Sequence, residues 1–206
     1  IGLPKTIDND LPITDNCPGF GSVAKYIAIS TYEASLDVAS MANSSTKVFL
    51  LEVMGRHAGW LAASAGIIKN NITMPPHIIL LPEVTFNQKR FLAKVRETVI
   101  SNGYCVIVAS EGIKDSKDQF IASSTKKDSF GHAHLGGVAP KLSDIITNKL
   151  NYKVHWAVSD YLQRAARHVA SDVDVKQAYQ IGYKAISYAK SNTSGVMLTI
   201  NKKNTP

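Results

Sequence analysis

One apolar run limits what this chain can fold into more than any other feature. Lys47-Val48-Phe49-Leu50-Leu51-Glu52-Val53-Met54 is mostly apolar over about the length of a buried strand. It stops at Gly55-Arg56-His57-Ala58-Gly59-Trp60, ahead of a stretch of small residues. Cys105-Val106-Ile107-Val108-Ala109 is a second such run. Ahead of the first run the helical period takes over: Val23, Ile27, Ala34, Val38 and Met41 recur at three-to-four spacing and predict a helix over 19–42, opened by glycines with Ser22 as candidate N-cap. Residues 58–69 predict an alanine- and glycine-rich helix suited to close packing on a sheet, and 87–101 an amphipathic helix carrying Phe91, Val95 and Val99. Further along, the pattern predicts strands over 78–81, 152–158 and 196–200, helices over 138–150 and 175–190, and a polar surface loop over 114–128. Strand and helix alternate, so the expected fold is α/β, with a largely parallel sheet joined by right-handed crossovers.

The 206 residues suffice for one sizeable core or two small lobes, and 45% hydrophobic with 19% charged residues is globular composition. The net charge of +7 is spread along the chain, which suits small anionic substrates. Nucleic acid is disfavoured as a partner because no zinc-finger spacing, RNP pattern or basic helix is present. Cys17 and Cys105 lie far apart without CxxC or Cys/His ligand spacing, so neither a disulfide framework nor a zinc site is expected, and Cys105 reads as a small buried hydrophobe. No stretch approaches the ~20 apolar residues of a membrane helix, and no basic-then-apolar leader opens the chain; a cytoplasmic protein is the default. His132 and His134 sit two apart in a glycine-bounded loop and, without a third ligand, read as loop or packing residues.

Two segments carry chemistry. Pro4-Lys5-Thr6-Ile7-Asp8-Asn9-Asp10 sets an ammonium, a hydroxyl and two carboxylates side by side. A hydroxyl attacking a phosphoryl group must give its proton to a base while cations neutralise the transferring oxygens, roles that Asp8 and Lys5 could take. The alternative is a loop with an Asx-turn, since Asn and Asp bond their own backbone. Arg56 falls at the tip of a predicted strand, where open parallel sheets collect ligands, or else closes a turn at the surface. Leu135-Gly136-Gly137 before a helix has the form of a phosphate cradle, although a glycine pair alone is a weak signal.

Taken in order and spacing, the Lys5-Thr6-Ile7-Asp8-Asn9-Asp10 loop, Pro18-Gly19-Phe20-Gly21-Ser22, Glu52-Val53-Met54-Gly55-Arg56-His57-Ala58-Gly59-Trp60 and Ser110-Glu111-Gly112 resemble the 6-phosphofructokinases, specifically the pyrophosphate-dependent branch. The resemblance runs almost end to end, through Phe130-Gly131-His132 and Leu135-Gly136-Gly137 to Asp160-Tyr161-Leu162-Gln163-Arg164. It implies parallel-sheet, Rossmann-like lobes with helices on both faces. Residues 1–21 would be a catalytic loop of the donor-binding lobe, 22–163 the fructose 6-phosphate lobe and 164–206 a return to the donor lobe. Members of the family carry a glycine-rich phosphate-binding segment with an acidic Mg²⁺ ligand upstream of this loop and continue beyond the Asn204-Thr205-Pro206 end. A fragment that is inactive alone, with no metal ligand of its own, is therefore expected.

The resemblance also implies roles. Asp8 would take the proton from the C1 hydroxyl of fructose 6-phosphate, Lys5 would neutralise the transferring phosphate of pyrophosphate, and Arg56 would stabilise the developing charge. Thr6, Ile7, Met54, Gly55 and Glu111 would line the sugar site, with Glu111 bonding sugar hydroxyls. Tyr161 and Arg164 would grip the 6-phosphate. Asp10 is a candidate for orienting the loop, bonding an arginine or joining a metal shell, the structural role being favoured. Bacterial ATP-dependent members have histidine at Tyr161 and arginine at both His155 and Lys47; the latter two positions serve a neighbouring subunit there, so Lys47 and His155 are weaker candidates. A homo-oligomer with Mg²⁺ as cofactor is implied. Some ATP-dependent members share the Lys5 to Asp10 motif, which leaves ATP as the alternative donor. A non-catalytic regulatory subunit is the second alternative, against which Lys5, Thr6, Asp8, Gly55, Arg56, Glu111 and Arg164 all stand.

Overall fold

Strand β1 (Val48–Val53) lies inside the sheet because its side chains are apolar towards both faces. Val48 and Leu50 point into one core cluster, Leu51 and Val53 into another, the two-residue period of a pleated strand. The chain is described by a computed structural model over residues 1–71, 73–127 and 133–202. Around β1 lie β2 (Ile78–Leu80), β3 (Cys105–Ser110) and β6 (Val154–Val158), all parallel, in the order β2-β3-β1-β6. The expected α/β fold with helices on both faces is borne out.

On one face, α1 (Phe20–Met41) and α2 (Trp60–Ser64), continued by a 3-10 turn over Ala65–Ile68, cover Leu51, Val53 and Val108 with Val23, Ile27, Leu61, Ala62 and Ala65. On the other face, α3 (Gln88–Asn102) and α4 (Val138–Leu150) cover Val48, Leu50 and Ile107 with Phe91, Val95, Val99, Leu142 and Ile146. Cys105 is fully buried in this second cluster, as its run predicts. The connection leaving β1 therefore goes to one face and the next helix after β3 goes to the other. Neighbouring parallel strands whose exits diverge in this way leave a crevice beyond their carboxyl ends.

Several expectations need correction. The helix expected over 58–69 is α-helical only over Trp60–Ser64 before tightening. The 114–128 stretch is not all loop: β4 (Ser123–Lys127) pairs antiparallel with β5 (Ala133–Leu135), a polar hairpin that apolar periodicity cannot flag. Phe130, Gly131 and His132 lie outside the described residues, as does Asn204-Thr205-Pro206. Ser22 does not cap α1, whose N-cap is Gly19 at φ 109°. Instead the Ser22 N–H (2.5 Å) and Oγ (2.7 Å) donate to the buried Asp174 carboxylate of α6 (Asp172–Lys190). That helix starts earlier than expected, with Asp172 and Asp174 in its positive first turn. A short helix, α5 (Asp160–Ala165), was not anticipated. The strand expected over 196–200 is reduced to a single bridge from Met197 to Gly2, because among the described residues only Gly2 offers it a parallel partner.

Ahead of β2, His77 is clamped to β3 in both directions. Its backbone N–H donates to the Val106 carbonyl (2.8 Å), and its Nδ1 accepts the Val106 N–H (2.9 Å). Nδ1 is thus an acceptor and the imidazole is neutral. Burial, helped by Lys69, pushes the ring down to about 4 from 6.5. The unfolded chain therefore binds a proton near pH 6.5 that the fold refuses until about pH 4, and stability falls as pH drops through that window. His77→Asn keeps an acceptor for Val106 but does not titrate. Its Tm should fall less than that of the parent between pH 6.5 and 4, and parallel Tm–pH curves would count against the clamp.

Candidate active site

The site is built where β1 and β3 end. Gly55 sits at φ 132°, and a Cβ there would lie 2.6 Å from the Ala58 carbonyl oxygen, so the turn after β1 requires glycine. Arg56 follows at φ 38°. A Cβ on Gly112 would fall 1.5 Å from the Arg56 carbonyl oxygen, so the tip after β3 packs backbone against backbone on Arg56. Glu111 is fixed between them: its N–H donates to the Val53 carbonyl (2.9 Å), and its carboxylate accepts the Arg56 backbone N–H. Burial pushes the Glu111 carboxyl up to about 7; Asp8 and Glu52 add to that rise, and Arg56 opposes it.

The loop carrying Asp8 reaches this point from outside the sheet. Pro4 is buried, Ile7 packs on the cluster of α1 and α2, and the Asp8 N–H donates to Thr6 Oγ1 (3.2 Å). Asn9, at φ 54°, accepts the Cys17 N–H on Oδ1 (2.8 Å). The expected Asx-turn is not formed: the local bond is the one from Asp8 N–H to the Thr6 hydroxyl, while Asn9 ties the loop to Cys17 eight residues on. Burial raises the Asp8 carboxyl above its ordinary range and Asp10 raises it further, while Arg56 and Lys5 pull it down. Asp8, Arg56 and Glu111 are thus close enough to feel one another's charge. Lys5 is exposed beside them, and Asp10, also exposed, faces a cavity of about 1150 Å³ with Asn9, His57 and Trp60 on its lining.

Helix α5 brings the other predicted pair to the same end of the sheet. Gln163, only 2% exposed, accepts the Met54 N–H on Oε1 (3.4 Å) and donates from Nε2 to the Asp160 carbonyl (3.0 Å), tying the helix to the tip of β1. Tyr161 and Arg164 are exposed, and the guanidinium lies 4.1 Å from the Tyr161 ring centroid. Met54 packs on the cluster of α1 and α2. Lys47 and His155 are not part of this gathering. Lys47 precedes β1 at its opposite end and donates from Nζ to the Ala42 carbonyl; His155 pairs in register with Phe49 on exposed edge strand β6.

Two residues at the site carried no sequence-based role. Gln163 gave no periodic signal. Glu52 gave one that went unused, as the single charge inside an apolar strand. It is 1% exposed, and its carboxylate accepts the Gly137 N–H (3.0 Å) and the Ala139 N–H (2.7 Å) at the start of α4. The glycine cradle of Leu135-Gly136-Gly137 thus holds a carboxylate of the chain itself. Among the described residues, no three His, Cys, Asp or Glu side chains gather closely enough to hold a metal ion.

Comparison with known proteins agrees with this geometry. Residues 1–189 match the family model described as Phosphofructokinase. The pyrophosphate--fructose 6-phosphate 1-phosphotransferase of Halomonas elongata is 56% identical over 202 residues, covering 98% of this chain and 48% of that protein. The protein of the same name from Methylococcus capsulatus is 56% identical over 200 residues, covering 97% of this chain and 48% of its own length. The crystal structure of a pyrophosphate-dependent phosphofructokinase from Marinobacter aquaeolei superposes with a TM-score of 0.86 at 52% identity, over 98% of this chain and 47% of that one. The chain spans about half the length of the curated relatives it matches. On the family match over residues 1–189, the chain belongs to the phosphofructokinase family.

Proposed function

We propose that this chain carries the sugar-phosphate half of a phosphotransferase that moves a phosphoryl group from pyrophosphate to the C1 hydroxyl of fructose 6-phosphate. The products are fructose 1,6-bisphosphate and phosphate, and the reaction is reversible because the two phosphoryl bonds differ little in transfer potential. The observation that carries the reading is the convergence of Asp8, Arg56 and Glu111 beyond the diverging ends of β1 and β3. The names of the relatives at 56% identity support pyrophosphate as donor. In chemical terms, the C1 oxygen attacks the near phosphorus of pyrophosphate, the bridging P–O bond breaks, and the C1 proton passes to Asp8. A carboxylate raised by burial is a better match to that proton than an ordinary one. Arg56 and Lys5 meet the charge on the equatorial oxygens, Glu111 accepts from sugar hydroxyls, and Tyr161 with Arg164 takes the 6-phosphate.

Mg²⁺ enters this reading as the companion of pyrophosphate, with its ligands supplied from outside the described residues, and no step above depends on it. The reaction belongs to carbohydrate phosphorylation in glycolysis and gluconeogenesis, in the cytoplasm. No described helix is long and apolar enough to cross a membrane. A homo-oligomer is part of the same reading, which rests there on the resemblance to the family.

The deciding experiment compares phosphorylation of fructose 6-phosphate by the complete protein with pyrophosphate and with ATP at equal Mg²⁺. Turnover with pyrophosphate alone is expected. ATP-only turnover would keep the sugar site and overturn the donor, and no turnover with either would favour a regulatory subunit. In the active protein, Asp8→Asn should lower kcat by about 10²–10⁴-fold while sugar-phosphate binding stays measurable by calorimetry; unchanged kcat would remove Asp8 as the base. The KM for fructose 6-phosphate should rise as pH falls through about 7, where Glu111 takes up its proton. Glu111→Gln should flatten that limb, and any slope left in the variant belongs to the phosphate of the sugar itself, which titrates near pH 6.

A further inference from the structure

The side chain of Glu52 points from β1 towards α4, into a position that the strand period would give to an apolar residue after Val48 and Leu50. A buried carboxylate costs several kcal/mol unless it is paired or well hydrogen-bonded, and here the α4 start supplies the bonds. The Gly137 and Ala139 N–H groups donate to its two oxygens, one each (3.0 and 2.7 Å), and Gly136 and Gly137 reach this approach only at φ 122° and 89°. A Cβ on Gly136 would stand 3.6 Å from Glu52 Oε1. These groups also enclose space: a cavity of about 110 Å³ is lined by Glu52, Met54, Glu111, Gly136, Val158 and Asp160. Glu52 and Glu111 therefore line the same small cavity, and Glu52 holds the Gly136-Gly137 turn beside it in place.

We propose that Glu52 is a positioning residue for the sugar-phosphate site, fixing the Gly136-Gly137 turn beside the cavity it shares with Glu111 and setting the charge that Glu111 feels. The inference rests on the phosphotransferase reading above. The division of labour follows from the donors available to each carboxylate. Burial raises both carboxyls above their ordinary range; at Glu52 the first N–H groups of a helix oppose that rise, whereas Glu111 has one backbone N–H, from Arg56, and is pushed up to about 7. The charged groups facing Glu111 are Asp8 from the opening loop, Arg56 from the turn after β1 and Glu52 from β1 itself; Asp160 of α5 faces Glu52.

The test is the pH dependence of kcat/KM for fructose 6-phosphate in the complete protein, measured on the parent, Glu111→Gln, Glu52→Gln and Glu52→Asp. Glu52→Gln keeps the shape and removes the charge. It should move the acidic limb about 0.5–1.5 pH units lower, because Glu111 then ionises more readily. A purely structural Glu52 would lower Tm and leave the limb where it was. Glu52→Asp keeps the charge but shortens the reach to α4. It should hold the limb in place and raise the KM for fructose 6-phosphate about fivefold or more with kcat less affected, a readout that remains if Glu52→Gln does not fold. A Glu52→Gln profile that overlays the parent, while Glu111→Gln flattens the limb, overturns the role of Glu52 alone, as does a folded Glu52→Asp variant with unchanged KM. An inactive parent, or a limb that Glu111→Gln leaves unmoved near pH 7, overturns the reading of the site and this inference with it.

Discussion

The absence of side-chain room between the tips of β1 and β3 governs the rest of the site. With no Cβ on Gly112, the chain after β3 lies directly on the Arg56 backbone, and with none on Gly55 the turn after β1 folds back onto Ala58. Those two contacts fix where Arg56 and Glu111 leave the sheet. They also let the Glu111 carboxylate take the Arg56 backbone N–H. Any side chain at either glycine would have to push two strand ends apart, and both ends belong to fully buried strands that cannot move independently of the core. The precision of the site is inherited from the packing of the sheet.

Around that rigid centre, electrostatics divides the carboxylates by environment. Glu52 is surrounded by N–H donors, Glu111 by one N–H and neighbouring negative charge, and Asp8 by Asp10 on one side and Arg56 and Lys5 on the other. Chemically similar side chains are thereby given different surroundings, which on the proposed function is how neighbouring carboxylates serve as a positioning group, a sugar-bonding group and a base. Arg56 touches two of these balances, opposing the rise at both Asp8 and Glu111. Its loss would disturb proton affinities and, on the proposed function, would also remove a cation from the transferring phosphate.

Much of this was legible in the sequence, for identifiable reasons. The two apolar runs became β1 and β3, and Val138–Leu150 matches the expected helix, because burial on a fixed period leaves a strong imprint. The opening loop and Arg56 stood out because their residue types are chemically conspicuous at turns, whereas Glu111 entered only through its place in the resemblance to the family. Helix α5 escaped because six residues with Tyr161 and Leu162 exposed leave no apolar face to read. The hairpin of β4 and β5 escaped because its strands are short and β4 is polar. Glu52 was visible as the only charge inside an apolar strand, yet its partner is the backbone of a helix far along the chain, and no local pattern announces a long-range carboxylate-to-helix contact. Lys47 and His155 resembled site positions in sequence but lie at the other end of β1, away from the crevice.

On the proposed function, the sugar side and the donor side of the site differ in how they are held. Glu111, Arg56 and the α5 pair are anchored to strand ends and to a buried glutamine, so their geometry is set by the core. Lys5 and Asp10 sit exposed on a loop held by side chains such as Asn9, whose Oδ1 accepts a single backbone N–H from Cys17. A change of phosphoryl donor alters charge and shape on the loop side, where substitutions cost little packing. A change of acceptor sugar would have to rebuild the tips of two buried strands. On the proposed function, the acceptor is therefore the fixed element of this half of the protein, and the donor is decided by the few loop residues that the sheet does not constrain.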